Sequence, residues 1–217
     1  MKDFLRGTTI LFVVLTYTAQ AFAQADYEYF PVLLKVLIEG SENISAEQFE
    51  GIKPAVEGLT ERLVLRTAYH RLQSPSWVSL SIFGSAEQYS DMRFISCLEP
   101  QDVALFYQAL ELTHHPEYRS TAVYNAVENA TFELLEQAET LPGYQVKVLV
   151  LFTSGVDTAS LAKARDLVRK VYPGETDIYL SIVTFDADTE LEEGLQNLAD
   201  HVGHVEWRHS VTYEDYY

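Results

Sequence analysis

A single cysteine, Cys97, in 217 residues excludes an intrachain disulfide, so stability has to come from a packed core. It sits in the strand-like run FISCL, where a small buried core residue fits better than a reactive thiol. Positive charge is equally scarce. Fifteen lysines and arginines face 32 acids, a net charge of −17. Without a basic stripe there is no electrostatic footprint for DNA or RNA, and anionic lipid is repelled for the same reason. Basic proteins or divalent cations are the partners such a surface favours. Long apolar runs are missing too. The longest, near the N-terminus, is far short of the roughly 20 residues of a spanning helix, and no later segment replaces it.

That N-terminal run has another reading. Lys2 and Arg6 precede an apolar stretch from Ile10 to Leu15 and then the small-residue sequence Ala21-Phe22-Ala23, the layout of a secretory signal peptide over residues 1–23. The expectation is an exported chain, periplasmic or extracellular, with no membrane span after cleavage. Taking away Lys2, Arg6 and Asp3 lowers the charge from −17 by one more, to −18. Residues 24–29 are a lead-in, 30–210 one domain, and 211–217 an acidic, aromatic tail.

Apolar runs of strand length recur at Val32–Ile38, Trp77–Phe83, Val146–Phe152 and Ile178–Val183. The first and third are nearly continuous, as strands covered on both faces are; the second alternates. Helical periods lie between them. Ser45, with Gln48 three residues on, opens a helix carrying Phe49, Ile52, Val56, Leu59 and Leu63, which Pro54 should kink or restart. Others are predicted over Gln101–Leu112, from Thr121 to a stop at Leu141-Pro142-Gly143, over Leu161–Val171, and over Leu191–Val202. Met92–Leu98 should form a short strand by a hairpin, and Val205–Trp207 a last edge strand. Strands alternating with helices imply an α/β fold: a doubly wound, mainly parallel central sheet with helices on both faces and one short antiparallel edge strand.

Catalytic and cofactor motifs are absent. No H-E-x-x-H exists, and the spacing of His201 and His204 does not make a zinc site. Ser154-Gly155 follows a strand as in a nucleophile elbow, but Phe152 stands where G-x-S-x-G needs its first glycine. Neither phosphate-binding glycine motif occurs, so the chain does not read as an enzyme. A hydrolase using Ser154 or Asp157 is the distant alternative. The sequons at Asn43 and Asn129 are coincidental matches, though a glycan on Asn43 would crowd the loop it sits in.

Three segments carry a family resemblance. VLIEGSENISAEQFEGIK (36–53) resembles the opening of a von Willebrand factor A domain. Arg119 to Val127 resembles that family's "Gly-Thr-x-Leu-Tyr-x-Ala-Ile" segment, and VLVLFTSG (148–155) its strand ending in Thr-Asp-Gly. The resemblance implies a protein-binding domain with a metal-ion-dependent adhesion site, holding Mg²⁺, or Ca²⁺ or Mn²⁺, at loops beyond the carboxyl ends of the strands. By that correspondence the ligand positions fall on Glu39, Ser41, Asn43, Thr121 and Ser154. Only Ser41 and Thr121 keep the family's residue. Glu39 is one methylene longer than aspartate, and Ser154 removes a fixed negative charge, so the site is degenerate. Glu42 or Asp157 could compensate by turning toward the ion. A metal-independent scaffold of the same fold is the alternative reading.

Overall fold

The computed structural model describes residues 30–70, 75–161, 178–184 and 205–208. Among the described residues seven strands form one sheet: β1 (Val32–Glu39), β2 (Trp77–Phe83), β3 (Tyr89–Asp91), β4 (Ile95–Ser96), β5 (Val146–Thr153), β6 (Ile178–Thr184) and β7 (Val205–Arg208). Their spatial order is β3-β2-β1-β5-β6-β7, with β4 also on β2. β1 pairs parallel with β2 and β5, β5 with β6, and β6 with β7; β3 and β4 run antiparallel to β2. Of the hairpin strand expected over Met92–Leu98 only Ile95–Ser96 (β4) is strand, and a second antiparallel piece, β3, precedes it at Tyr89–Asp91. The expected last edge strand is present as β7.

Strand order reverses at β1, from which the chain goes first to β2 on one side and later to β5 on the other. Such a switch point leaves a crevice at the carboxyl ends of β1 and β5.

Side-chain alternation along β1 assigns the layers. Val32, Leu34, Val36 and Ile38 join Phe49, Ile52, Val56, Leu59 and Leu63 of α1 (Ala46–His70) and Phe106 and Leu110 of α2 (Pro100–Leu112). Leu33 and Leu37 face Val123, Val127, Ala130 and Leu134 of α3 (Val123–Thr140). Each such aliphatic side chain contributes about 1.5–3 kcal/mol when fully buried. Cys97 belongs to the first layer, and burial pushes its thiol up to about 12, so it is no nucleophile at neutral pH.

The first helix begins with a reciprocal capping box: Ser45 Oγ accepts from Gln48 N (3.1 Å) and Gln48 Oε1 from Ser45 N (2.8 Å). Pro54 does not restart the helix: α1 runs through it as one helix. Pro54 and Glu50, whose carbonyl it leaves without a helical donor, both lie on exposed positions. The helix predicted from Thr121 starts two residues later, at Val123. The helices expected over Leu161–Val171 and Leu191–Val202 fall almost wholly outside the described residues, as do His201 and His204. No described helix is long and apolar enough to cross a membrane.

Before its terminal Glu39, one residue breaks the apolar register of β1. Lys35 sits mid-strand on the α3 face and is fully enclosed.

Candidate functional site

Glu39 is the last residue of β1, pointing to the same face as Leu33, Lys35 and Leu37, and it is 0% exposed. An isolated carboxylate in such a place would be strongly disfavoured, so its neighbours decide whether it is tolerated. Oε1 accepts from Ser41 Oγ, Thr121 Oγ1 (2.8 Å) and Ser154 Oγ (3.0 Å). Oε2 accepts from Thr153 Oγ1 (2.7 Å) and Ser154 N (2.7 Å), and shares the Ser154 hydroxyl at 3.0 Å. Five donor groups from three chain segments thus close on one carboxylate, the acceptor-only group that can use them all.

The backbone holds these segments together. Gly40 N donates to Phe83 O (2.8 Å) and Tyr118 N to Gly40 O (2.8 Å), while Glu42 N donates to Tyr118 O (2.8 Å). A Cβ on Gly40 would lie 2.6 Å from Pro116 Cγ, so only glycine lets the 113–118 loop approach β1 this closely. His115 braces the same turn through Nε2 and Ser41 O (3.0 Å). In that loop Glu117 takes a left-handed φ of 52°, an uncommon conformation for a side-chain-bearing residue.

Asp157 has a different task. Its Oδ2 accepts from Tyr124 N (3.1 Å) in the first turn of α3, and its Oδ1 from Ala159 N (3.2 Å) and Ser160 N (3.0 Å). Ser160 Oγ adds bonds from Tyr124 N (3.0 Å) and Asn125 N (3.2 Å). The loop after β5 therefore caps α3 in trans, supplying acceptors that Ala122, at the cap position, has no side chain to provide. Thr121 O takes Thr158 N and Ala159 N, both at 2.9 Å, which ties Thr121 to the same loop.

Of the five residues given by the correspondence, four meet, Glu39, Ser41, Thr121 and Ser154; Asn43 and the two candidate compensating acids, Glu42 and Asp157, do not join them. Asn43 is exposed and contributes its backbone N–H to Ser41 Oγ (3.2 Å), and Asp157 caps α3. Glu42 is exposed as well. Thr153 is the member the sequence reading missed. Its signal was a hydroxyl ending an otherwise apolar strand beside Ser154. Ser154 directs its hydroxyl at both Glu39 oxygens, and among the described residues no histidine bonds to it.

A hard dication asks for about six oxygen ligands, with carboxylates supplying the charge. Here one carboxylate is surrounded by hydroxyls that already direct protons at it, and the other nearby acid is committed to backbone N–H groups. Among the described residues no group of three or more His, Cys, Asp or Glu side chains could hold a metal. As arranged, the donor set does not fit a bound dication.

Comparisons with known proteins bear on the fold. The sequence profile of the von Willebrand factor type A domain matches residues 34–215. No curated protein matches. Among solved structures, the pilus adhesin SpaC from Lactobacillus rhamnosus GG in its open conformation is similar with a TM-score of 0.57 at 10% identity, over 83% of this chain and 28% of its own. Proximal thread matrix protein 1 of the mussel byssus gives 0.58 at 12%, over 78% and 41%. The manganese-loaded TRAP protein of Plasmodium vivax gives 0.55 at 18%, over 78% and 63%. The chain thus spans less than two thirds of each, and at these identities the likeness is one of fold.

Proposed function

The chain belongs to the von Willebrand factor type A domain family, and on that premise we propose that it is an exported protein-binding domain whose site needs no resident divalent ion. The observation that carries this is Glu39, whose two oxygens are taken by five donors. The caged carboxylate does by hydrogen bonding what a bound ion would do by coordination: it pins the loops after β1 and β5 and the segment before α3 to one another. Loops fixed in this way present a pre-organised surface, which lowers the ordering cost of binding. Exposed Glu42, Asn43, Arg119 and Val156 flank it. Support for export is the leader-like sequence of residues 1–23, which lies outside the described residues.

Melting in Mg²⁺, Ca²⁺ or Mn²⁺, against EDTA, tests the first half. A site held at 100 times its Kd stabilises the fold by about 2.7 kcal/mol, so a saturable rise with any of these ions sinks the proposal; no shift is expected. The second half is tested by capture from the native extracytoplasmic fraction. The same protein should be retained with and without EDTA and lost with Val156→Asp. Retention by that variant would place binding elsewhere.

A second reading has its own observation. Leu105 and Leu112, 63% and 67% exposed, lie seven residues apart on α2, and Leu98, two residues before the helix, is 55% exposed. A scaffold using that face would keep its partner in Val156→Asp and lose it in Leu105→Asp.

A further inference from the structure

Lys35 is buried in mid-sheet, away from the Glu39 cage, and nothing in the proposed binding role uses it. Its side chain reaches across β2 to the edge strand. Nζ lies 2.5 Å from Asp91 Oδ1 on β3, 2.5 Å from Glu133 Oε2 on α3, and 2.9 Å from Ser79 Oγ. The rings of Phe94 and Tyr89 enclose it, with centroids at 5.7 and 6.0 Å. Ser81 Oγ donates to Asp91 Oδ1 (2.8 Å) and Tyr89 OH to Glu133 Oε2 (3.3 Å). The side chain of Lys35 is 0% exposed, that of Glu133 27% and that of Asp91 40%.

As a plain ion pair this arrangement is a poor source of stability. Desolvating an ammonium costs several kcal/mol, and apolar residues of the same volume often serve as well or better. Chemically it is better specified. One amine is held against one acyl group, a second carboxylate touches the same nitrogen, and aromatic rings keep water from it. Such positioning replaces a bimolecular encounter, and effective molarities for well-oriented groups reach about 10⁵–10⁸ M.

We propose that Lys35 and Asp91 are joined by an intramolecular amide bond, with Glu133 as the proton carrier. One proton of the Lys35 ammonium passes to the Asp91 carboxylate it touches, and Nζ, now the amine, attacks Cγ of Asp91. Glu133 takes a proton from that nitrogen and passes one to the departing oxygen, so the C–O bond breaks and water leaves. The net change is ammonium plus carboxylate to amide plus water. Glu133 ends as it began, and no oxidant or cofactor is required. One positive and one negative charge disappear from a largely dry site, and the exposed side of Asp91 gives the water an exit. The bond would tie central β1 to edge β3 in a chain whose single cysteine offers no disulfide.

Tryptic mapping of the purified, denatured full chain tests this. The expected result is an uncut Lys35, with its peptide linked to the one ending at Arg93 and the pair lighter by one water. Asp91→Ala and Glu133→Gln should each release unlinked peptides, with Lys35 cut normally. Cleavage after Lys35 in the wild type, with both peptides at full mass, overturns the proposal, and that result does not depend on any variant folding. A link of equal yield in Glu133→Gln would overturn the role of Glu133.

Discussion

At the residue scale, Glu39 shows how one methylene and one substitution change a site together. The longer side chain brings its carboxylate among the hydroxyls of Ser41, Thr121 and Thr153, and serine at 154 supplies two donors where the family's aspartate would add a second negative charge. Glu39→Gln keeps the shape but turns one end of the group from acceptor to donor, facing other donors. We expect a loss of about 1–3 kcal/mol, the cost of leaving a buried polar group unsatisfied, read from urea denaturation. Glu39→Asp should also destabilise, because the shorter acid cannot reach the same donors. The positions of Glu39, Ser41, Thr121 and Ser154 were legible from three short segments. Their mutual hydrogen bonding was not, because donor and acceptor roles depend on residues more than 80 positions apart in the chain.

At the element scale, two predictions concern α1. Ser45→Ala removes the acceptor for Gln48 N and should cost about 1 kcal/mol, the usual value of such a cap, visible as a lower urea midpoint. Farther along, Glu57 has its carboxyl raised from the ordinary 4.5 by burial first, then by the like charges of Glu111 on α2 and Glu61. The folded state therefore holds the Glu57 proton more tightly than the unfolded chain does. That contribution is fully present below about pH 4.5 and lost as pH rises through the folded value. Glu57→Gln should raise the melting temperature at pH 7 and change it little below pH 4.5; the same increment at both pH values would show that charge is not the cause. Pro54 illustrates the limit of reading elements from local rules. It breaks helices when the freed carbonyl is buried, and only the packed structure shows that its turn faces water.

At the scale of the whole molecule, the strand order places the cage. The register partners Ile38 of β1 and Phe152 of β5 are 152 − 38 = 114 residues apart in the chain, yet the two strands are neighbours whose carboxyl ends open on one crevice. The predicted absence of a metal response, read from melting in Mg²⁺, Ca²⁺ or Mn²⁺ against EDTA, belongs to this scale, since an ion bound only by the folded chain would shift the entire unfolding equilibrium. Hydrophobic periodicity, the capping box and the glycine-proline stops were enough to determine the α/β class and the strands β1, β2, β5 and β6, because each is a local property of backbone and side chain; the three loops to watch came from the family resemblance. Tertiary structure alone decided what those loops do. Hydroxyls of Ser41, Thr121 and Ser154 could equally ligate an ion or donate to an acid, and Lys35 could have been an exposed edge charge. Burial and the direction of each donor, fixed only when β1, β5 and α3 come together, turn the first into a carboxylate cage and set the second against Asp91 and Glu133.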